Sequence, residues 1–149
     1  MKIKKILLCT DGEPDAKKAE EYALTISGGI GATITALYVV DPFLKKFTNE
    51  IYAVNRDECR EHLDKTLHAE GEAALAAFEA AAKERGVAAQ TVLRYGDPTE
   101  EILHEIDENT YDLAVMGSKL LKGWKQRFES FNLSERVFKQ CPIPLLVVR

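Results

Sequence analysis

The chain has 149 residues, 46% hydrophobic and 30% charged, with a formal net charge of −4. That length suits one compact domain, taken as residues 1–149, and is too short for two comfortable ones. The mild acidity gives no global attraction to nucleic acid or an acidic membrane, and no apolar run approaches the length of a membrane span.

Three cysteines, Cys9, Cys59 and Cys141, are odd in number and widely spaced. They argue against a disulfide framework and for a reducing, cytoplasmic setting. The opening Met1-Lys2-Ile3-Lys4-Lys5 lacks the long apolar segment of a secretory leader, so none is expected.

Ile3 to Cys9, Ile-Lys-Lys-Ile-Leu-Leu-Cys, is apolar from Ile6 on and reads as the first strand, ending in Thr10-Asp11-Gly12. Pro14 fits a first helical turn, where its missing N–H would be unpaired anyway. Ala16, Ala19, Ala23 and Ile26 then mark one buried helix face, and Gly28, Gly29 and Gly31 are expected to stop that helix. Thr33 to Val40 is β-branched and apolar and reads as the second strand, closed by Asp41-Pro42. The segment from Phe43 to Asn55 mixes aromatic and charged residues and supports no assignment.

A long helix is expected from Asp57 to Arg85, with Leu63, Leu67, Ala74, Phe78 and Ala81 as its apolar stripe and Gly86 as its stop. Val87 to Tyr95 reads as the third strand. Asp97-Pro98-Thr99-Glu100 reads as a helix start, with Asp97 as cap, Pro98 in the first turn and Glu100 placed for a capping box. Ile102, Leu103 and Ile106 should face inward. Asp112 to Met116 is a short apolar run without alternation, as in a strand buried on both faces. Gly117 and Ser118 follow, and Gly117 is expected to let the backbone turn at the strand's carboxyl end. A basic, aromatic segment leads into a helix through Val137-Phe138. Pro142-Ile143-Pro144 breaks it, and Leu145 to Val148 is the last strand.

Five strands alternating with four helical segments demand an α/β fold, a parallel sheet with helices on both faces. In such sheets ligands bind beyond the carboxyl ends of the strands, where strand order reverses. If the first and fourth strands are neighbours there, Asp11 and Gly117 line one crevice. Asp11 would accept hydrogen bonds from a ligand, and the turn at Gly117 would offer backbone N–H groups to an anion. The plainer alternative makes Asp11 a helix cap and Gly117 a turn glycine.

Five stretches together, in this order and spacing, resemble the universal stress protein family over essentially the whole chain. They are Ile6 to Gly12, Leu37 to Pro42, Tyr95 to Pro98, Asp112 to Ser118, and Ser134 to Val137 continuing through Cys141 to Val148. The resemblance implies a Rossmann-like five-stranded parallel sheet in the order 3-2-1-4-5 and a homodimer. It also implies either ATP binding or a branch of the family that has lost it. If nucleotide binds, the candidate residues are Asp11, Val39, Val40, Gly117 and Ser118.

The family's ATP-binding branch carries Gly-x2-Gly-x9-Gly followed by Ser or Thr. Here Gly117 fills the first position, Leu120 stands at the second, and Ser130-Phe131 or Asn132-Leu133 at the third, depending on the alignment of the loop. Gly123 cannot replace Leu120 without shifting the register. The lost glycines would let backbone amides approach phosphates, so a degenerate ATP-binding motif and no cofactor are expected, with ATP as the alternative. Leu120, Leu121, Trp124, Phe128 and Phe131 recur at helical spacing among Lys119, Lys122, Lys125 and Arg127. They read as an amphipathic segment covering the crevice with solvated cations, or as cations that hold a phosphate by side chain.

Other constellations fail. Ser27-Gly28-Gly29 follows a helix, whereas a phosphate loop of that type must follow a strand. Cys59 and His62 share a helix face but no second pair accompanies them, so no metal is expected. His68 and His104 read as exposed or half-buried helix residues, Cys9 and Cys141 as small core residues. No Ser–His or Cys–His arrangement suggests a nucleophile, so the chain is not expected to be an enzyme. The expectation is a stress-response protein that acts through an unidentified protein partner. Leu145 to Val148 would be an apolar edge strand, and pairing with its own symmetry mate would form the homodimer.

Overall fold

The structure is a computed structural model that describes residues 1–41, 56–118 and 133–149, with side chains in the second helix described from residue 65. The described elements are β1 (Lys5–Cys9), α1 (Pro14–Ile30), β2 (Thr33–Val40), α2 (Arg56–Glu84), β3 (Ala89–Tyr95), α3 (Pro98–Glu108), β4 (Leu113–Gly117), α4 (Leu133–Gln140) and β5 (Leu145–Val148). The strands form one sheet in the order β3-β2-β1-β4-β5, every neighbouring pair parallel. This is the Rossmann-like order expected from the sequence.

The continuous apolar runs are explained by helices on both faces of the sheet. Ile6, Leu7 and Leu8 of the central strand are 0% exposed, each burial contributing roughly 1.5–3 kcal/mol. One face carries α1 over β1, β4 and β5 and α2 over β2 and β3. The other carries α3 and α4, with Ile102, Ile106 and Val137 packed on Leu7, Leu37 and Ala114. Leu103, expected inward with them, is half-buried.

Helix ends follow capping chemistry. Asp97 precedes Pro98 and its Oδ2 accepts the Glu100 N–H at 3.1 Å, as expected for the start of α3. The expected stop of α1 is corrected. Gly28 and Gly29 lie inside the helix, which runs to Ile30. Gly31, at φ 74°, ends it, and the N–H groups of Gly31 and Ala32 both donate to the Ser27 carbonyl. The same device closes α2, where Val87 N–H donates to Ala82 O at 2.9 Å, so β3 begins at Ala89 rather than Val87.

The apolar stripe of α2 also differs from the expected one. Gly71, Leu75, Phe78 and Ala82 are buried, whereas Leu67, Ala74 and Ala81 are only half-buried. Alanine occupies so many positions between Ala73 and Ala82 that it blurs the period. The expectation that Leu120, Trp124 and Phe128 cover the crevice lies outside the described residues.

Candidate functional site

β1 sits between β2 and β4, so the sheet order reverses at the β1–β4 pair. Cys9 is paired with Met116 and with Leu37. The structure therefore brings Asp11, two residues beyond β1, to the same end as Gly117 and Ser118. Val39 and Val40 extend β2 beyond its pairing with β1 at that end.

Asp11 is half-buried, and its Oδ1 accepts the Glu13 N–H at 3.0 Å. It is not the cap of α1: Glu13 occupies that position and makes no side-chain capping bond. Asp11 instead closes a tight Asx turn ahead of the helix. Behind it stands Tyr38, whose phenol is pushed up by burial first and then by Glu70, Asp11 and Glu13. This side of the crevice is thus acidic.

The turn is held from below by residues that sequence reasoning missed. Thr10 N–H donates to Leu37 O at 3.0 Å, continuing the ladder past β1. The Thr10 hydroxyl donates to Glu20 Oε1 at 3.0 Å and accepts the Gly12 N–H at 3.2 Å. Lys17 Nζ lies 3.2 Å from the other carboxylate oxygen of Glu20. Glu20 is 5% exposed and Thr10 6%. The available signal was a carboxylate placed beside Ala16, Ala19 and Ala23, on the buried side of α1.

At the end of β4 the expected turn is corrected. Gly117 remains in the strand, paired with Val148, and its φ is not positive. A Cβ there would meet Asp15 O at 3.6 Å, an ordinary contact, so the described backbone does not demand glycine. The Ser118 N–H donates to Val148 O at 2.6 Å. Val40, 2% exposed, accepts the Gly96 N–H on its carbonyl at 3.0 Å, while half-buried Val39 packs toward the α3–α4 face.

Outside the crevice, the polar groups serve the fold. Arg94 on β3 reaches Glu101, Glu105 and Glu108 of α3 at 3.1, 2.7 and 3.1 Å. Tyr111 Oη and Asn109 Nδ2 donate to the same Glu105 at 2.9 and 3.1 Å. These last two border a depression of about 180 Å³ at the amino end of the sheet. Half-buried His68 stacks on Tyr95, ring centroids 5.8 Å apart, and exposed His104 lies 3.4 Å from Glu101. Cys9 and Cys141 are half-buried, and burial, then Cys141 and Glu105, push the Cys9 thiol up to about 12. Such a thiol is inert. The side chains of Cys59 and His62 lie outside the described residues. Among the described residues, no group of three or more His, Cys, Asp or Glu could hold a metal ion, and no helix is long and apolar enough to cross a membrane.

The fold is shared with known proteins. The chain is 32% identical over 148 residues to universal stress protein MJ0531 of Methanocaldococcus jannaschii, covering 98% of this chain and 82% of the relative. The fold is similar to that of hypothetical protein MJ0577, with TM-score 0.78, 23% identity, and coverage of 99% and 96% of the two chains. It is also similar to a universal stress protein in complex with cAMP (TM-score 0.72, 18% identity, coverage 100% and 98%). A third similar structure is the universal stress protein from Archaeoglobus fulgidus in complex with dAMP (TM-score 0.67, 15% identity, coverage 100% of both). Residues 2–149 match the Universal stress protein family, and the chain belongs to that family.

Proposed function

We propose that this chain is a cytoplasmic homodimer that acts in a stress response through contacts with another protein, without catalysis of its own. Its crevice is a degenerate nucleotide site that no longer grips a triphosphate. The supporting observation is the Ser118 amide, which is already bonded to Val148 O and is not offered to an anion. Beyond it Leu120 stands where the ATP-binding branch has glycine. A backbone cradle for phosphates needs successive free N–H groups and no Cβ in the way. Calorimetric titration of the purified chain with ATP and Mg²⁺ tests this. No binding is the expected result, and a dissociation constant in the micromolar range refutes it.

A second reading has its own support, because similar folds occur in complex with cAMP and dAMP. Here the crevice takes an adenine nucleotide through Asp11, Val39 or Val40, Gly117 and Ser118. Lys119, Lys122, Lys125 and Arg127 hold the phosphate in place of backbone amides. Replacing the three lysines with glutamine separates the readings, since binding on this account falls steeply and becomes less sensitive to salt.

A further inference from the structure

We propose that Glu20 is a positioning residue for the crevice, acting through the Thr10 hydroxyl to hold the Asp11 turn in its ligand-facing form. Its ligand half rests on the reading in which the crevice takes a nucleotide. A hydroxyl has one proton to give. The Thr10 proton goes to Glu20 Oε1, so a lone pair remains directed at the Gly12 N–H. Gly12, at φ 72°, is the residue that reverses the chain after Asp11. Without Glu20 the hydroxyl is free to rotate, and the Gly12 amide loses its fixed acceptor.

Burial explains why the link matters. Glu20 and Thr10 are almost fully enclosed, and Lys17, with its side chain 53% exposed, reaches in to the second carboxylate oxygen. A carboxylate withdrawn from water needs such partners. Its placement on the buried side of α1, next to alanines, spends core space on a polar group. An apolar residue there would pack as well but leave the Asp11 turn untethered. The tether joins the second turn of α1 to the end of β1. Asp11, which bonds Glu13 N–H in the same turn, is thereby held in place.

The variants are Glu20→Leu, Glu20→Gln, Thr10→Val and Thr10→Ser in the full chain. The first readout is hydrogen exchange at the Gly12 amide by NMR, which needs no ligand. Exchange should accelerate about ten-fold in Glu20→Leu and Thr10→Val, the scale of one lost hydrogen bond. It should stay near wild type in Glu20→Gln and Thr10→Ser, which keep an acceptor and a hydroxyl. The second readout is affinity for adenosine 5′-monophosphate, expected to fall about ten-fold in the first pair and less than about two-fold in the second. Thr10→Val exchanges the hydroxyl for a methyl, so it tests the Thr10 link if Glu20→Leu fails to fold, and Glu20→Gln then tests Glu20 itself. Unchanged Gly12 exchange in Thr10→Val overturns the hold on the turn. Faster exchange with unchanged affinity overturns the ligand half. A wild-type chain that takes up no nucleotide refutes the nucleotide reading and the ligand half with it, while the exchange pattern still decides what holds the turn.

Discussion

A Cβ on Gly12 would stand 2.6 Å from the Cβ of Ala74, so α2 lies directly on the turn that carries Asp11. Gly12 also has φ 72°, where a side chain is strained. Both effects act against Gly12→Ala, with an expected loss of about 2–4 kcal/mol in chemical denaturation. Adding Ala74→Gly should return the steric part, less about 1 kcal/mol for glycine within a helix. If the single variant is as stable as wild type, the close approach of α2 to the turn is wrong.

The approach of α2 also shows what could be read before the structure. β1, β2 and β4 were legible because buried parallel strands leave uninterrupted apolar runs. The start of α3 was legible because Asp97-Pro98 is a local device. The end of α1 was not, because Gly28 and Gly29 weaken a helix by only about 1 kcal/mol each, which burial of Ala23, Leu24 and Ser27 overrides. At the site, Asp11 was recognisable by its place after β1. The groups that hold its turn were not, since the link from Thr10 to Glu20 spans ten residues and joins two elements. The paired amide of Ser118 was equally hidden, because it depends on where β5 lies.

Arg94 is expected to be costly to remove. Its guanidinium serves three carboxylates, and the Glu105 side chain is only 5% exposed. Arg94→Met leaves Glu105 with Tyr111 and Asn109 but no cation, a loss of about 2 kcal/mol once the 18% exposure of the Arg94 side chain is allowed for. Arg94→Lys should recover less than half, since an ammonium lacks the planar fork that serves several carboxylates at once. Urea midpoints decide it, and equal midpoints for Arg94→Met and wild type would sink the claim.

Stability should fall on the acid side for an identifiable reason. Asp112 Oδ2 accepts the Lys4 and Lys5 N–H groups at 2.8 and 3.0 Å, tying the approach to β4 to the start of β1. These two bonds hold its carboxyl below the ordinary value of 3.8, and the Arg94 hydrogen bond holds Glu108 below 4.5. A carboxylate with a lowered folded pKa contributes stability that is full above its unfolded pKa. The contribution is lost as pH falls through the folded value. Melting temperature should therefore drop as pH falls below the ordinary values of 4.5 and 3.8, and Asp112→Asn should flatten that drop while lowering stability near neutral pH. A steeper drop in the variant would contradict the assignment.

The last expectation concerns assembly. In one chain, Leu145, Leu146 and Val147 are only half-buried although every residue of β5 is apolar. Among the described residues, β5 is the edge of the sheet, paired with β4 on one side only. The N–H and C=O groups on its other side invite another strand. A second copy of β5, antiparallel across a two-fold axis, would satisfy them and cover the apolar side chains with an identical set, so that the assembly closes. Val147→Lys would place two unpaired cations near that axis, and the dimer should weaken by roughly ten-fold or more. Val147 also packs on the α3–α4 side of the core, so circular dichroism must first show that the variant folds. Sedimentation at micromolar concentration then separates the outcomes: wild type should run as a dimer and the variant as a folded monomer. A wild-type chain that sediments as a monomer refutes the assembly, whatever the variant does.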